Sequence, residues 1–136
     1  MGAHFKILFC VTLAGAMLSG CFNSLVEVLP LHSKRLNETL YLKRKSRGLN
    51  YGVLVLSKSA SKYFEPDKSS EYVFTSDVVG TFFYKFERDT LSVFVRSPIP
   101  SPPDMKTKIY IQQIQLSNPE MMKLFDDYQA KGIKKF

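Results

Sequence analysis

From Glu38 onward, apolar and polar residues mostly alternate with a period of two, the spacing of a strand with one buried face. "TLYLKRK" (39–45) and "YGVLVLS" (51–57) flank the turn-like "SRGLN", with Gly48 and Asn50. A polar loop, "SKSASKYFEPDKSS" (57–70), separates them from a short strand, "EYVFTS" (71–76). "VGTFFYKFE" (79–87) and "LSVFVR" (91–96) are joined by "RDT" and predict a hairpin. Alternation places Phe82, Tyr84 and Phe86 on one face of the first strand, and Leu91, Val93 and Val95 on one face of its partner.

After the hairpin, "SPIPSPPD" (97–104) predicts an extended, polyproline-like connection. A further strand follows in "KTKIYIQQIQL" (106–116), with Ile109, Ile111 and Gln113 opposed to Tyr110, Gln112 and Ile114. The period then changes. "NPEMMKLFDDYQAKG" places Met121, Leu124, Phe125 and Tyr128 on one helical stripe. Asn118 reads as the N-cap, Pro119 as the first helical residue and Gly132 as the stop. These elements predict a mainly β fold: about six antiparallel strands in a small sheet, barrel or sandwich. One C-terminal helix, 118–131, covers an open side.

The first residues follow different rules. Lys6 precedes a twelve-residue apolar run, "ILFCVTLAGAML" (7–18), in the arrangement of a signal peptide. As a helix it spans about 18 Å at roughly 1.5 Å per residue, short of a hydrocarbon core of about 30 Å. The run closes with Leu18-Ser19-Gly20-Cys21, which resembles the lipobox of bacterial lipoproteins. That resemblance implies cleavage between Gly20 and Cys21 and a diacylglycerol on the Cys21 thiol, with the new amine often acylated. Two or three acyl chains hold a protein on a membrane stably, where one does not. Phe22 follows the anchor, where lipoproteins kept at the inner membrane tend to carry Asp. The resemblance therefore implies an outer-membrane protein facing the periplasm in a two-membrane envelope, or one on the outer face of a single membrane. The expected organisation is a leader at 1–20, a lipidated N-terminus and tether at 21–37, and one β-rich domain at 38–136. Pro30 limits regular structure in the tether, although Leu25, Val26, Val28, Leu29 and Leu31 make part of it apolar enough to pack on the domain.

Composition narrows the function classes. With 45% hydrophobic and 13% aromatic residues, the chain is too apolar to remain disordered and has the material for a core. Its two cysteines, Cys10 and Cys21, go with the leader and the lipid, so no disulfide framework is expected. A formal net charge of +7 favours acidic partners. Export argues against nucleic acid and for anionic lipid, an acidic envelope polymer or an envelope protein. Lys34, Arg35, Lys43, Arg44, Lys45 and Arg47 are the candidate contacts for such a surface, at roughly 1 kcal/mol per basic residue. Alternatively, the same residues guard an edge strand against pairing with other chains.

Catalytic chemistry finds little support. After loss of His4 with the leader, His32 is the only imidazole, so neither a metal centre nor a histidine-based triad is expected. Ser59-Ala60-Ser61-Lys62 fits the S-x-x-K of penicillin-binding proteins, with Ser76-Asp77 and Lys106-Thr107-Lys108 as partial echoes of the companion motifs. However, Val78 and Lys108 replace the residues those motifs need, and the chain is too short for that fold. Asp126 and Asp127 are neighbours on the helix and do not face each other. The expectation is a non-enzymatic, lipid-anchored binding or accessory module of the bacterial cell envelope. It has no cofactor beyond the acyl lipid. The alternatives are a protective lipoprotein that blocks a toxin, phage or lytic enzyme, and a hydrolase of envelope polymers.

Overall fold

The computed structural model describes residues 25–47, 51–74 and 81–136. The leader, Gly20 and Cys21 of the lipobox, and Ser76-Asp77 lie outside the described residues. Strands β1 (Leu25–Ser33), β2 (Glu38–Arg47), β3 (Tyr51–Ser57) and β4 (Tyr72–Phe74) form an antiparallel meander in that order. A second sheet has the order β7-β6-β5-β8, from β5 (Phe83–Glu87), β6 (Thr90–Val95), β7 (Tyr110–Gln115) and β8 (Lys134–Lys135). Helix α1 (Asn118–Asp127) lies between β7 and β8 in sequence.

The mainly β architecture with one helix follows the expected pattern, and the two sheets make it a sandwich. Alternation explains why they stack. Leu40 and Leu42 on β2 and Leu54 and Leu56 on β3 are fully buried on one face of the first sheet. They meet Phe82, Tyr84, Leu91, Val93 and Val95 from the second sheet in one core. Each such side chain contributes about 1.5–3 kcal/mol on leaving water. The opposite face of the second sheet presents Phe83, which packs with Met121, Leu124 and Ile133. Helix α1 is therefore a third layer. Its Phe125 ring meets Phe83 edge-on at 4.9 Å.

Four details depart from the sequence pattern. Eight strands form among the described residues, rather than about six. The expected tether contributes β1, paired along its whole length with β2. Pro30 is tolerated because β1 is an edge strand, with no neighbour needing its missing N–H. Strands β6 and β7 run parallel. The proline-rich connection spans the sandwich and returns the chain in the same direction, as a parallel pair requires. Finally, the helix ends at Asp127 rather than at 131, and its N-cap lies one residue before the expected Asn118. Ser117 is its N-cap: the Ser117 hydroxyl accepts from the Glu120 N–H, and the Glu120 carboxylate accepts from the Ser117 N–H at 2.7 Å. The Ser117 N–H, and then its hydroxyl, hold the Glu120 carboxyl below its ordinary range. Gly132 sits at φ 66°, a left-handed conformation suited to glycine, and turns the chain into β8.

Candidate functional site

The β1–β2 hairpin decides what becomes of the basic segment. Leu25 pairs with Ser46, and Ser33 with Glu38, so the turn carrying Lys34 and Arg35 lies at one end of the sandwich. Lys45 and Arg47 lie at the other, about 26 Å away at roughly 3.3 Å per residue. The six candidate cations therefore do not form one surface. Between the two ends, alternation sends neighbours to opposite faces. The Lys43 side chain is only 5% exposed, with its ammonium 4.0 Å from Glu71 and 3.5 Å from the Ser61 carbonyl. Arg44 donates to Glu27 at 2.9 Å and lies over the Phe136 ring at 4.8 Å. Lys45 lies over Phe64 at 5.8 Å.

Lys43 is covered by the β3–β4 loop, which folds back across the outer face of the first sheet. Ser57, Ser59 and Ser61 shape this loop, each hydroxyl accepting from the N–H two residues later at 3.1–3.2 Å. Such repeated local bonds brace the segment's backbone in place of a sheet partner. Ser59 and Ser61, the serines of the S-x-x-K match, are thus part of a backbone brace. Beneath them is a small cavity of about 180 Å³, lined by Lys43, Val55, Tyr63, Phe64 and Glu71 among others. The proline-rich connection is also tied down. Gln113 accepts from the Ile99 N–H at 2.7 Å and donates back to its carbonyl at 3.2 Å, while Gln115 donates to the Arg96 carbonyl.

An exposed cationic feature lies at the end bearing the β1–β2 turn. A shallow groove of about 640 Å³ runs between this turn and the β5–β6 turn, lined by His32, Lys34, Arg35, Phe86, Arg88 and Asp89. Asp89 locks the two turns together. It accepts from the buried Ser33 hydroxyl and from Arg35, and its backbone carbonyl accepts from the Tyr110 N–H at 2.8 Å. The Ser33 hydrogen bond, and then Arg35, hold the Asp89 carboxyl below its ordinary range against the opposing effect of desolvation. Lys34 and Arg88 are exposed and make no ion pair among the described residues. Half-buried Phe86 gives the groove an apolar wall. His32 donates to or accepts from Thr39 at 2.9 Å.

Arg88 is held unusually. It occupies the two-residue loop closed by the Glu87–Thr90 pair, at φ 56°. That region is uncommon for a side-chain-bearing residue and recurs at functional positions. Two-residue hairpin loops ordinarily use Asn-Gly or Asp-Gly. The sequence signal for this site was the Arg-Asp loop itself, read only as a connection. Among the described residues, no three His, Cys, Asp or Glu side chains come together as metal ligands. No family model matches the chain, nor is any curated protein or solved structure significantly similar to it.

Proposed function

We propose that this chain is a non-enzymatic binding module, held on the bacterial cell envelope by lipid on Cys21, that receives an acidic segment of an envelope protein in the groove at Lys34 and Arg88. One observation carries the reading. Two cations that make no ion pair among the described residues stand beside an aromatic wall, at the Ser33 end of β1, and one of them occupies a strained backbone position. Carboxylates between Lys34 and Arg88, with an apolar group against Phe86, match that arrangement in charge and in polarity. The lipobox resemblance supports the anchor. It also supports location at the outer membrane facing the periplasm where there are two membranes, since Phe22 follows Cys21.

The test has two arms. Mass analysis of the N-terminal peptide and cell fractionation check the anchor: Cys21 carries acyl chains, and Cys21→Ser loses them and leaves the processed membrane fraction. Binding of the lipidated protein to poly-glutamate checks the groove. It weakens with added salt and is lost in Lys34→Glu/Arg88→Glu. Equal binding by wild type and double variant would remove the groove from the account and leave the anchor standing.

A further inference from the structure

The end of the sandwich opposite the groove carries a second basic surface, which depends on the fold bringing the C-terminal segment to the start of β1. Phe136 exchanges both backbone hydrogen bonds with Phe82, at 3.0 and 2.8 Å, and its ring lies under Arg44. Arg44 is bonded to Glu27, two residues from Leu25. Strand β8 thus lies toward the Leu25 end, with Lys135 opposite Phe83 and Lys134 opposite Tyr84; both are exposed and alternate to opposite sides of the sheet, the Lys135 ammonium lying over the Tyr128 ring at 5.6 Å. Lys45 pairs with Val26 at that same end, and Leu25 is 62% exposed. Of the acids there, Glu27 is engaged by Arg44 and Glu120 by the helix cap.

Leu25 follows Cys21 by four positions, so the chain between them reaches at most about 14 Å. On the anchor reading above, which this inference requires, acyl chains on Cys21 bring the Leu25 end to within that distance of the lipid headgroups. We infer that Lys45, Lys134 and Lys135 form a collar that seats this end of the domain on an anionic bilayer, directing the Lys34–Arg88 groove away from it. The collar differs from the basic segment picked out in the sequence. Two of its lysines come from the other end of the chain, and Lys34 and Arg35 do not belong to it. Exposed lysines on β8 would also suit protection of a sheet edge, and that role needs no lipid.

The experiment uses the lipidated protein in two vesicle types, phosphatidylcholine alone and phosphatidylcholine with phosphatidylglycerol. Lysines are acetylated briefly and each site is quantified by mass spectrometry. The collar predicts that Lys134 and Lys135 react about fivefold more slowly on anionic than on neutral vesicles, with the difference erased by high salt. Lys45 changes in the same direction, and Lys34 and Lys108 do not change. Lys134→Gln/Lys135→Gln should abolish the protection of Lys45. Equal reactivity on both vesicles, with Cys21 acylated and the protein co-floating, overturns the collar and leaves the anchor intact. Slower reaction at Lys34 instead reverses the orientation and also overturns it. An unacylated Cys21 overturns the anchor and the collar together.

Discussion

The buried Lys43–Glu71 pair gives a prediction in which two substitutions in one contact have different consequences. The Lys43 side chain is 5% exposed, the Glu71 side chain 17%, and their charged atoms are 4.0 Å apart. At that separation the gross attraction is about 4 kcal/mol for an effective dielectric near 20, and desolvation of both groups offsets most of it. Glu71→Gln removes the countercharge. It keeps an oxygen to accept from the Asp67 N–H, which Glu71 now does at 3.0 Å. The ammonium stays buried and keeps the Ser61 carbonyl as its hydrogen-bond acceptor among the described residues, so the expected loss is about 2 kcal/mol, below the usual 3–5 for breaking a buried pair because this one is long and partly exposed. Lys43→Met removes the charge and keeps the stem against Val55 and Phe64, for an expected change within about 1 kcal/mol. Urea unfolding followed by circular dichroism measures both. In thermal terms the first loss corresponds to a fall of about 8 °C in Tm. Lys43→Met/Glu71→Gln should recover most of the loss. If Lys43→Met falls as far as Glu71→Gln, the ammonium is itself a net stabiliser and the reasoning fails. If Glu71→Gln costs nothing, Glu71 does not neutralise Lys43.

Three further expectations follow from backbone and charge. Arg88→Gly should raise stability by about 1 kcal/mol, because glycine occupies φ 56° without strain, and should weaken poly-glutamate binding; melting and binding are measured on the same sample. Asp89 has a native pKa below its unfolded value, so its contribution is complete above about pH 3.9 and lost as pH falls through the lowered native value. An acid-unfolding series should therefore show a shallower decline at low pH in Asp89→Asn, from a lower starting stability. Gly132→Ala should cost about 1 kcal/mol through φ 66° alone, since a Cβ there meets only the flexible end of Lys85, at 3.7 Å; urea unfolding reads it.

Alternation made the hairpin legible, because Phe82, Tyr84, Leu91, Val93 and Val95 face one dry core and their spacing records that. Helix α1 was legible for the same reason, although the capping box beginning at Ser117 marks its start better than Asn118 does. Strand β1 was obscured by Pro30 and by the polar Glu27 and His32, all tolerable on an edge with one neighbour. The parallel pairing of β6 and β7 leaves no mark on either strand, since it is set by the path of the connection between them. The basic segment misled because closeness in sequence is not closeness along a hairpin. The register carries Lys34 and Lys45 to opposite ends, and the pleat turns Lys43 to the outer face, where the serine-braced loop covers it. Arg88 escaped notice because what marks it is a backbone angle, which composition does not record.

The central claim is that the groove at Lys34 and Arg88 meets an acidic envelope protein while the other end is anchored. The most direct measurement places a photo-crosslinking amino acid at position 34 or, as a control, at Lys123, which is exposed on α1. Irradiation of intact cells is followed by mass spectrometry of the adducts. The account predicts one dominant protein captured from position 34, through an acidic segment, and lost on adding Arg88→Glu. Capture of the same protein equally from position 123, or of polymer or lipid alone from position 34, would contradict it.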